Sequence, residues 1–253
     1  MLNEDLLRRA LRHAGLPDGS VHYAEVLPST NATALQLASE GAPEWTIVAT
    51  DRQTEGRGRI GRRWETPPSG GLMFSWVLRP ASLPAATSIL TLLAGWAMAR
   101  ACGEVGLAPD VRCKWPNDLL LHEKKVGGIL AEARITDDRV EHVVLGVGVN
   151  MGAVPPVEGA GALPPGDPAL LLTSFLAGFG AAYGDRTGEL ANRVVVRYRP
   201  YCATLGRRVR ARTTAGDEVE GVAKDLDENG GLLVEAERGT VAITFGEVVH
   251  LRS

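Results

Sequence analysis

Lysine is scarce in this chain, cysteine scarcer still, and aromatic residues make up only 5% of its 253 residues. The three cysteines, Cys102, Cys113 and Cys202, stand far apart and form no Cys-x-x-Cys pair. Neither a zinc site nor a disulfide framework is indicated, and a reducing cytoplasm is the expected compartment. The histidines sit at no metal-ligand spacing, so no resident metal site is expected. Long apolar runs are missing too: Ile89 to Met98 is the longest, is interrupted by Thr91 and is too short to span a membrane. The opening residues, MLNEDLLRRALRHAGL, are amphipathic and charged, without the apolar segment of a signal peptide. A net charge of −3 argues against a general nucleic-acid coat or a polybasic membrane binder.

What is present is a chain with 45% apolar residues, enough to bury a sizeable core. Leu2 to Ala14 reads as a helix stopped by Gly15 and Pro17, Val21 to Leu27 as a strand, and Ser29-Thr30-Asn31 as the cap of a helix running towards Glu40. Trp45 to Thr50 and Leu72 to Leu78 read as strands, and Ala85 to Gly103 as a helix. Four closely spaced strands follow: Val111 to Trp115, Leu119 to His122, Lys125 to Ile135 and Val140 to Asn150. The short polar turns HEKK and TDDR join the last three as antiparallel hairpins. Met151 to Pro168 is a Pro- and Gly-rich surface loop, and Ala169 to Tyr183 and Glu189 to Tyr201 look helical. This order predicts an α+β domain, a mixed β-sheet with helices on one face. After Leu205 the texture changes to about fifty residues of short strands with Gly or Asp turns, which predicts a small SH3-like β-barrel. The boundary falls near Ala203, giving domains 1–203 and 204–253.

The strongest local feature is Gln53 to Trp64, QTEGRGRIGRRW. From Arg52 to Arg63 there are five arginines against one Glu55. Glycines let backbone amides crowd around a ligand. Arginines offer planar, permanently charged forks that match carboxylate and phosphate oxygens. The stretch therefore reads as an anion-binding cradle. It is not a Walker A loop, because the Gly-Lys-Ser/Thr ending is missing, and arginines fill the gaps of its G-x-G-x-x-G spacing, unlike a dinucleotide fingerprint. A solvated or RNA-contacting loop is the alternative from this stretch alone.

Three more stretches bear on the choice. In Lys114-Trp115-Pro116-Asn117-Asp118, Pro116 forces an extended approach and breaks the strand ladder, placing Asn117 and Asp118 at a rigid corner. In KVGGIL, from Lys125, two glycines inside a strand imply that something approaches the backbone closely. In GVGVN, positions Gly146, Gly148 and Asn150 share one face of a strand, bare backbone ending in an amide, against which a flat ring can lie.

Together, Gln53…GRGRIGRRW, KWPND, KVGGIL and GVGVN, preceded by STN at Ser29, resemble the signature set of the biotin protein ligases (biotin–[acetyl-CoA-carboxylase] ligases). The motifs stand in family order over roughly Ser29 to Asn150 and are jointly very specific. The tail, LGRRVRA…GVAKDLDENGGLLV…FGEVVHLRS, resembles that family's C-terminal barrel. The resemblance implies two steps. Biotin's carboxylate attacks the α-phosphorus of MgATP, giving biotinyl-5′-AMP and pyrophosphate. A lysine of a biotin carboxyl carrier protein, of acetyl-CoA carboxylase or a similar carboxylase, then displaces AMP.

It also implies roles. Arg59 and Arg62 face the phosphates, and Lys125 touches the biotin carboxyl and the α-phosphate, leaving Lys124 as an exposed turn residue. Ser29, Thr30 and Gln53 bind the ureido ring; Asn31 completes the motif but equally fits as a helix cap. Gly56, Arg57, Gly58 and Arg59 fold over biotin as a lid, expected to be disordered when empty, with Gly128 alongside. On the nucleotide side stand Asn117 and Trp64, the latter covering adenine with Gly146, Gly148 and Asn150 opposite; Trp64 equally suits a core anchor. Asp118 is the carboxylate of the second step, or a structural cap on its corner. Mg²⁺ is expected with ATP.

The sequence departs from the family in two places. Fewer than thirty residues precede Ser29, too few for the DNA-binding domain of the bifunctional members, so no operator binding is expected. TPPSGG, Thr66 to Gly71, replaces a usual Ser-Pro pair. A homodimer through the central sheet, common in the family, is an option beside the monomer. Lipoate or octanoate ligation is the alternative activity; a non-enzymatic RNA-binding role is disfavoured by the acidic balance of Asp217, Glu218, Glu220, Asp225, Asp227 and Glu228.

Overall fold

The computed structural model describes residues 2–17, 19–65, 71–80, 86–137, 139–184, 190–213, 217–244 and 246–251. Residues 66–70, which hold most of the TPPSGG departure, lie outside these, as do Ala85 and Glu189 at the expected helix starts.

Helix α1 (Glu4–His13) is capped by Asn3, whose side chain accepts from the Leu6 amide at 2.9 Å, and buries Leu7, Ala10 and Leu11. Strand β1 (Val21–Leu27), helix α2 (Thr30–Ser39) and strand β2 (Ile47–Gln53) make a strand–helix–strand unit, so β1 and β2 run parallel. Then come β3 (Leu72–Leu78), α3 (Ala86–Glu104), β4 (Arg112–Lys114), β5 (Asp118–Leu121), β6 (Lys124–Thr136) and β7 (Arg139–Val149). The seven strands are ordered β1-β2-β3-β7-β6-β5-β4, and every pair beyond the first is antiparallel. His122 and Glu123, at φ 48° and 63°, form the tight turn between β5 and β6; positive φ at both central residues matches the strands' twist. Helices α4 (Pro168–Tyr183) and α5 (Leu190–Tyr198) complete the first unit.

All seven residues of β3 are buried, which marks it as a strand covered on both faces. Phe74 and Trp76 point towards α4 and meet Phe175 edge-on at 5.3 and 5.2 Å. On the opposite face Val48, Val77 and Val144 pack against Ala34 and Ala38 of α2. The expected one-sided arrangement is therefore corrected: α1, α3 and α4 cover one face and α2 the other. The sequence of β3 carries the reason, since its alternate residues are apolar or small in both registers and demand two covers. Helix α2 is short, and the sheet beyond its start is open. That opening is where the motifs meet.

The second sheet holds β8 (Arg208–Thr213), β9 (Glu218–Leu226), β10 (Leu232–Ala236), β11 (Gly239–Ile243) and β12 (Gly246–His250), in the order β11-β10-β9-β8-β12. Among the described residues β11 and β12 do not pair, so the expected barrel is an open antiparallel sheet. As an edge strand β11 is largely exposed, and of its five residues only Ile243 is buried.

The two sheets are tied at the KWPND corner. The Ala203 amide donates to the Cys113 carbonyl at 2.8 Å, the Trp115 amide to Thr204 Oγ1 at 3.0 Å, and the Trp115 indole N–H to the Gly230 carbonyl at 2.9 Å. Arg207 forks onto Glu123 at 2.7 and 2.6 Å. No helix among the described residues is long and apolar enough to cross a membrane.

Candidate active site

The open face of the sheet is floored by glycine. Gly128 on β6 and Gly146 and Gly148 on β7 point the same way as Ser75 on β3. A β-carbon at Gly146 would collide with the Asn31 carboxamide, and one at Gly148 would lie 2.6–3.0 Å from the Trp64 indole. The bare strand face thus carries two planar groups of the protein itself, the Asn31 carboxamide and the Trp64 indole. The indole lies directly on the backbone.

The arginine loop arches over this floor. Gly58 donates to the Arg62 carbonyl at 2.8 Å and Trp64 to the Gly56 carbonyl at 2.9 Å. Ile60 and Gly61, with φ of 53° and 70°, turn the tip. Gly56 has no room for a side chain, because a β-carbon would sit 2.5 Å from the Trp64 carbonyl. Beneath the loop lies a cavity of about 380 Å³. Every residue expected to contact biotin or the nucleotide lines it except Gly56, which underlies Trp64.

At one end of the cavity, Gln53 Oε1 accepts from the Thr30 amide at 2.8 Å and from the Thr30 hydroxyl at 3.2 Å. Its Nε2 has no hydrogen-bond partner among the described residues. Ser29 caps α2. Asn31 Nδ2 donates to the Leu130 carbonyl at 3.3 Å and to Glu132 Oε2 at 2.8 Å, and its Oδ1 accepts from Ser75 at 2.6 Å. Both of its donors thus already have protein partners.

At the middle, Lys125 Nζ pairs with Asp118 Oδ1 at 2.5 Å. Arg59 Nη1 donates to Asn117 Oδ1 at 3.1 Å, and Asn117 Nδ2 donates to the Ile129 carbonyl at 3.0 Å. Burial lowers the Arg59 pKa from its ordinary value, while Asp118 and Glu247 pull it up. A guanidinium starts so high that it remains a cation. Arg62 reaches across to the second sheet and pairs with Glu247 at 2.6 Å.

At the far end, Asn150 is buried and donates from Nδ2 to the Gly161 carbonyl at 2.9 Å, leaving its buried Oδ1 without a partner. The Trp64 Nε1 is likewise buried and unpartnered. The Pro- and Gly-rich loop contributes here: Gly159 and Gly161 bracket the Lys125 backbone with bonds of 2.9 and 2.8 Å, and Pro155 and Val157 line the cavity.

Several lining or bracing residues had not been assigned a role from the sequence, four of them with charged or hydroxyl side chains that matter here. Lys114 and Glu247 line the cavity, and Ser75 and Glu132 hold Asn31. Lys114 stood inside a recognised motif, and Ser75 is a lone hydroxyl in the apolar run LMFSWVL. Glu132 follows Gly128 and Leu130 at strand period; Glu247 had no local signal at all.

A mixed sheet with a glycine floor, an arginine loop above it and a paired lysine in the cavity is the arrangement expected of a ligase that activates an anion. The comparisons agree. Residues 23–150 match the sequence model of the biotin/lipoate A/B protein ligase family, and residues 204–251 match that of the biotin protein ligase C-terminal domain. The chain belongs to this family, on its biotin protein ligase branch. It is 32% identical over 272 residues to the biotin–[acetyl-CoA-carboxylase] ligase of Mycobacterium tuberculosis, covering 99% of this chain and 96% of that one. It is 35% identical over 238 residues to the bifunctional ligase/repressor BirA of Bacillus subtilis, covering 89% of this chain and 72% of the relative. Its structure is similar to that of the Aquifex aeolicus biotin protein ligase in complex with biotin and ATP, with a TM-score of 0.71 and 26% identity over 92% of this chain and 99% of the other.

Proposed function

We propose that this protein joins biotin to ATP as biotinyl-5′-AMP, releasing pyrophosphate, and then transfers biotin to a lysine of a biotin carboxyl carrier protein of acetyl-CoA carboxylase or a similar carboxylase. The relatives' names support the reaction and the substrate. The observation that carries it to these residues is that Lys125, Arg59 and Arg62 line the same cavity as Gln53, Thr30 and Asn150.

The first step brings two anions together. At about 4 Å they repel by roughly 4 kcal/mol at an effective dielectric near 20. Uncompensated, that is about a thousandfold in rate. Lys125 between biotin's carboxylate and the α-phosphate, with Arg59 and Arg62 on the phosphates, removes this penalty and stabilises charge that develops in the transition state. Asp118 and Asn117 hold Lys125 and Arg59 in place beforehand, so little reorganisation is needed.

The ends of the cavity set specificity. The free Gln53 Nε2 and the Thr30 and Ser29 hydroxyls suit the ureido carbonyl and N–H groups. A site built on such bonds rejects a ring without them by about 10⁴–10⁵, which disfavours lipoate and octanoate. The orphaned Asn150 Oδ1 is an acceptor for the adenine amino group, and it would face a second acceptor if guanine entered. In the second step Asp118 attracts the incoming lysine and takes its proton. No cluster of three His, Cys, Asp or Glu suited to a metal occurs among the described residues, so Mg²⁺ is assigned to the substrate, MgATP.

The deciding experiment is ATP–pyrophosphate exchange with biotin, lipoate or octanoate, with Lys125→Ala alongside. Exchange that requires biotin and collapses in the variant supports the reading. Exchange only with lipoate or octanoate keeps the fold and overturns the substrate, and no exchange with any acid overturns the reaction.

A further inference from the structure

Asn31 is the hub of the ring-binding end, yet its own side chain is fully engaged by protein. Its Oδ1 accepts from Ser75 at 2.6 Å, and Ser75 also meets Thr30 Oγ1 at 2.8 Å. Thr30 in turn holds Gln53. The orientation of the whole chain of polar groups depends on which way the Asn31 carboxamide points. Glu132 fixes that choice together with the Leu130 carbonyl, since both accept only from the –NH₂ end, Glu132 at the shorter distance. Glu132 Oε2 takes that bond at 2.8 Å.

The other oxygen of the same carboxylate does something different. Glu132 Oε1 pairs with Arg57 Nη2 at 3.0 Å. Arg57 belongs to the arginine loop, where it is bridged to Arg63. One carboxylate, rooted in β6, therefore grips the loop with one oxygen and the floor of the ring pocket with the other. It does so from beside the cavity, without lining it.

We propose that Glu132 is a positioning residue that couples closure of the arginine loop to the arrangement of the ring pocket. This rests on the biotin–ATP reading of the site. When the loop is down, Arg57 fixes Glu132, Glu132 fixes Asn31, and through Ser75 and Thr30 the Gln53 amide is aimed into the cavity. When the ring is bound, the same bonds run in reverse and hold the loop over the intermediate. The coupling needs both oxygens, so the two halves separate by substitution. Glu132→Gln keeps a carbonyl for Asn31 and loses the ion pair with Arg57. Glu132→Ala loses both.

Three readouts test this on the full chain. The first is limited trypsin digestion of the arginine loop, followed by mass spectrometry, with no substrate added. The second is KM for biotin. The third is the rate at which preformed biotinyl-5′-AMP escapes before carrier is supplied. Glu132→Gln is expected to raise loop cleavage and intermediate escape by about tenfold while KM for biotin moves less than about threefold. Glu132→Ala is expected to raise all three, KM by about tenfold or more. Unchanged cleavage and escape in Glu132→Gln, in a sample with the wild-type far-UV spectrum, overturn the proposal even if Glu132→Ala fails to fold. Failure of the biotin reading is visible separately, as absent exchange in the unsubstituted protein, and leaves the cleavage arm to decide the coupling.

Discussion

Arg62 of the arginine loop and Glu247 of the second sheet form an ion pair at 2.6 Å across the seam between the two units. Both groups are substantially exposed, so the pair contributes little to stability. Its effect lies in where it holds the guanidinium proposed to face the phosphates.

Removing Glu247 should therefore alter catalysis without altering the fold. Glu247→Gln is expected to raise KM for ATP about three- to tenfold, leave KM for biotin unchanged and shift Tm by less than about 2 °C. Initial rates at varied ATP and a thermal melt check this. An equal rise in both KM values would mean that the pair holds the whole loop, not one arginine.

Asp118 should separate the two steps. Asp118→Asn removes the proton acceptor but keeps a partner for Lys125. Biotin-dependent exchange is expected to stay within about tenfold of the unsubstituted protein, while transfer from preformed biotinyl-5′-AMP to carrier slows by about 10²–10⁴. Single-turnover transfer reads the second step alone. If exchange and transfer fall together, Asp118 serves Lys125 and not the acceptor.

The two glycines of β7 should give opposite defects. An alanine at Gly146 drives into Asn31, and one at Gly148 drives into Trp64. Gly146→Ala is expected to weaken biotin binding and Gly148→Ala to weaken ATP binding, each by about tenfold or more, at a stability cost of about 1–3 kcal/mol. Titration calorimetry of each variant with each ligand distinguishes them. A shared defect would mean that the floor behaves as one surface.

Acid should loosen the seam before it touches the core. His250 bonds Thr204 Oγ1 at 3.1 Å, next to the Trp115 amide. Its pKa is pushed down to about 4 by burial first, then by Lys114 and Arg207, with Glu123 opposing. The folded form therefore binds fewer protons than the unfolded form between about 4 and the ordinary histidine value near 6.5. Stability is expected to fall as pH drops through that window, and His250→Gln to flatten the slope. A urea titration series from pH 7 to 4 measures it; an unchanged slope in the variant would remove His250 as the cause.

Much of the site was legible because its parts are contiguous. GRGRIGRRW is one loop, KWPND one corner, KVGGIL and GVGVN single strand segments, and each states its chemistry by residue type and spacing. Neighbouring strands then bring them together, so recognising them in order was enough to place the cavity. Glu132 and Ser75 were not legible, since their meaning lies in what they hold across the sheet. The two-sided cover of β3 and the open edge at β11 were missed for a related reason. Burial on a second face and closure of a seam depend on partners distant in sequence, not on the local pattern.

The indole of Trp64 rests on Gly148, the same patch of backbone proposed for the adenine ring. Two flat rings cannot share one face. For a nucleobase to slip between indole and strand, Trp64 has to rise by roughly 3.5 Å, the thickness of an aromatic layer. The motion draws the loop's closing residue upward while its tip is being pulled down by phosphates. Admission of the second substrate is thereby a tug between the two ends of a nine-residue strap, Gly56 to Trp64. In the proposed reaction, ATP entry would then depend on how readily that strap lifts.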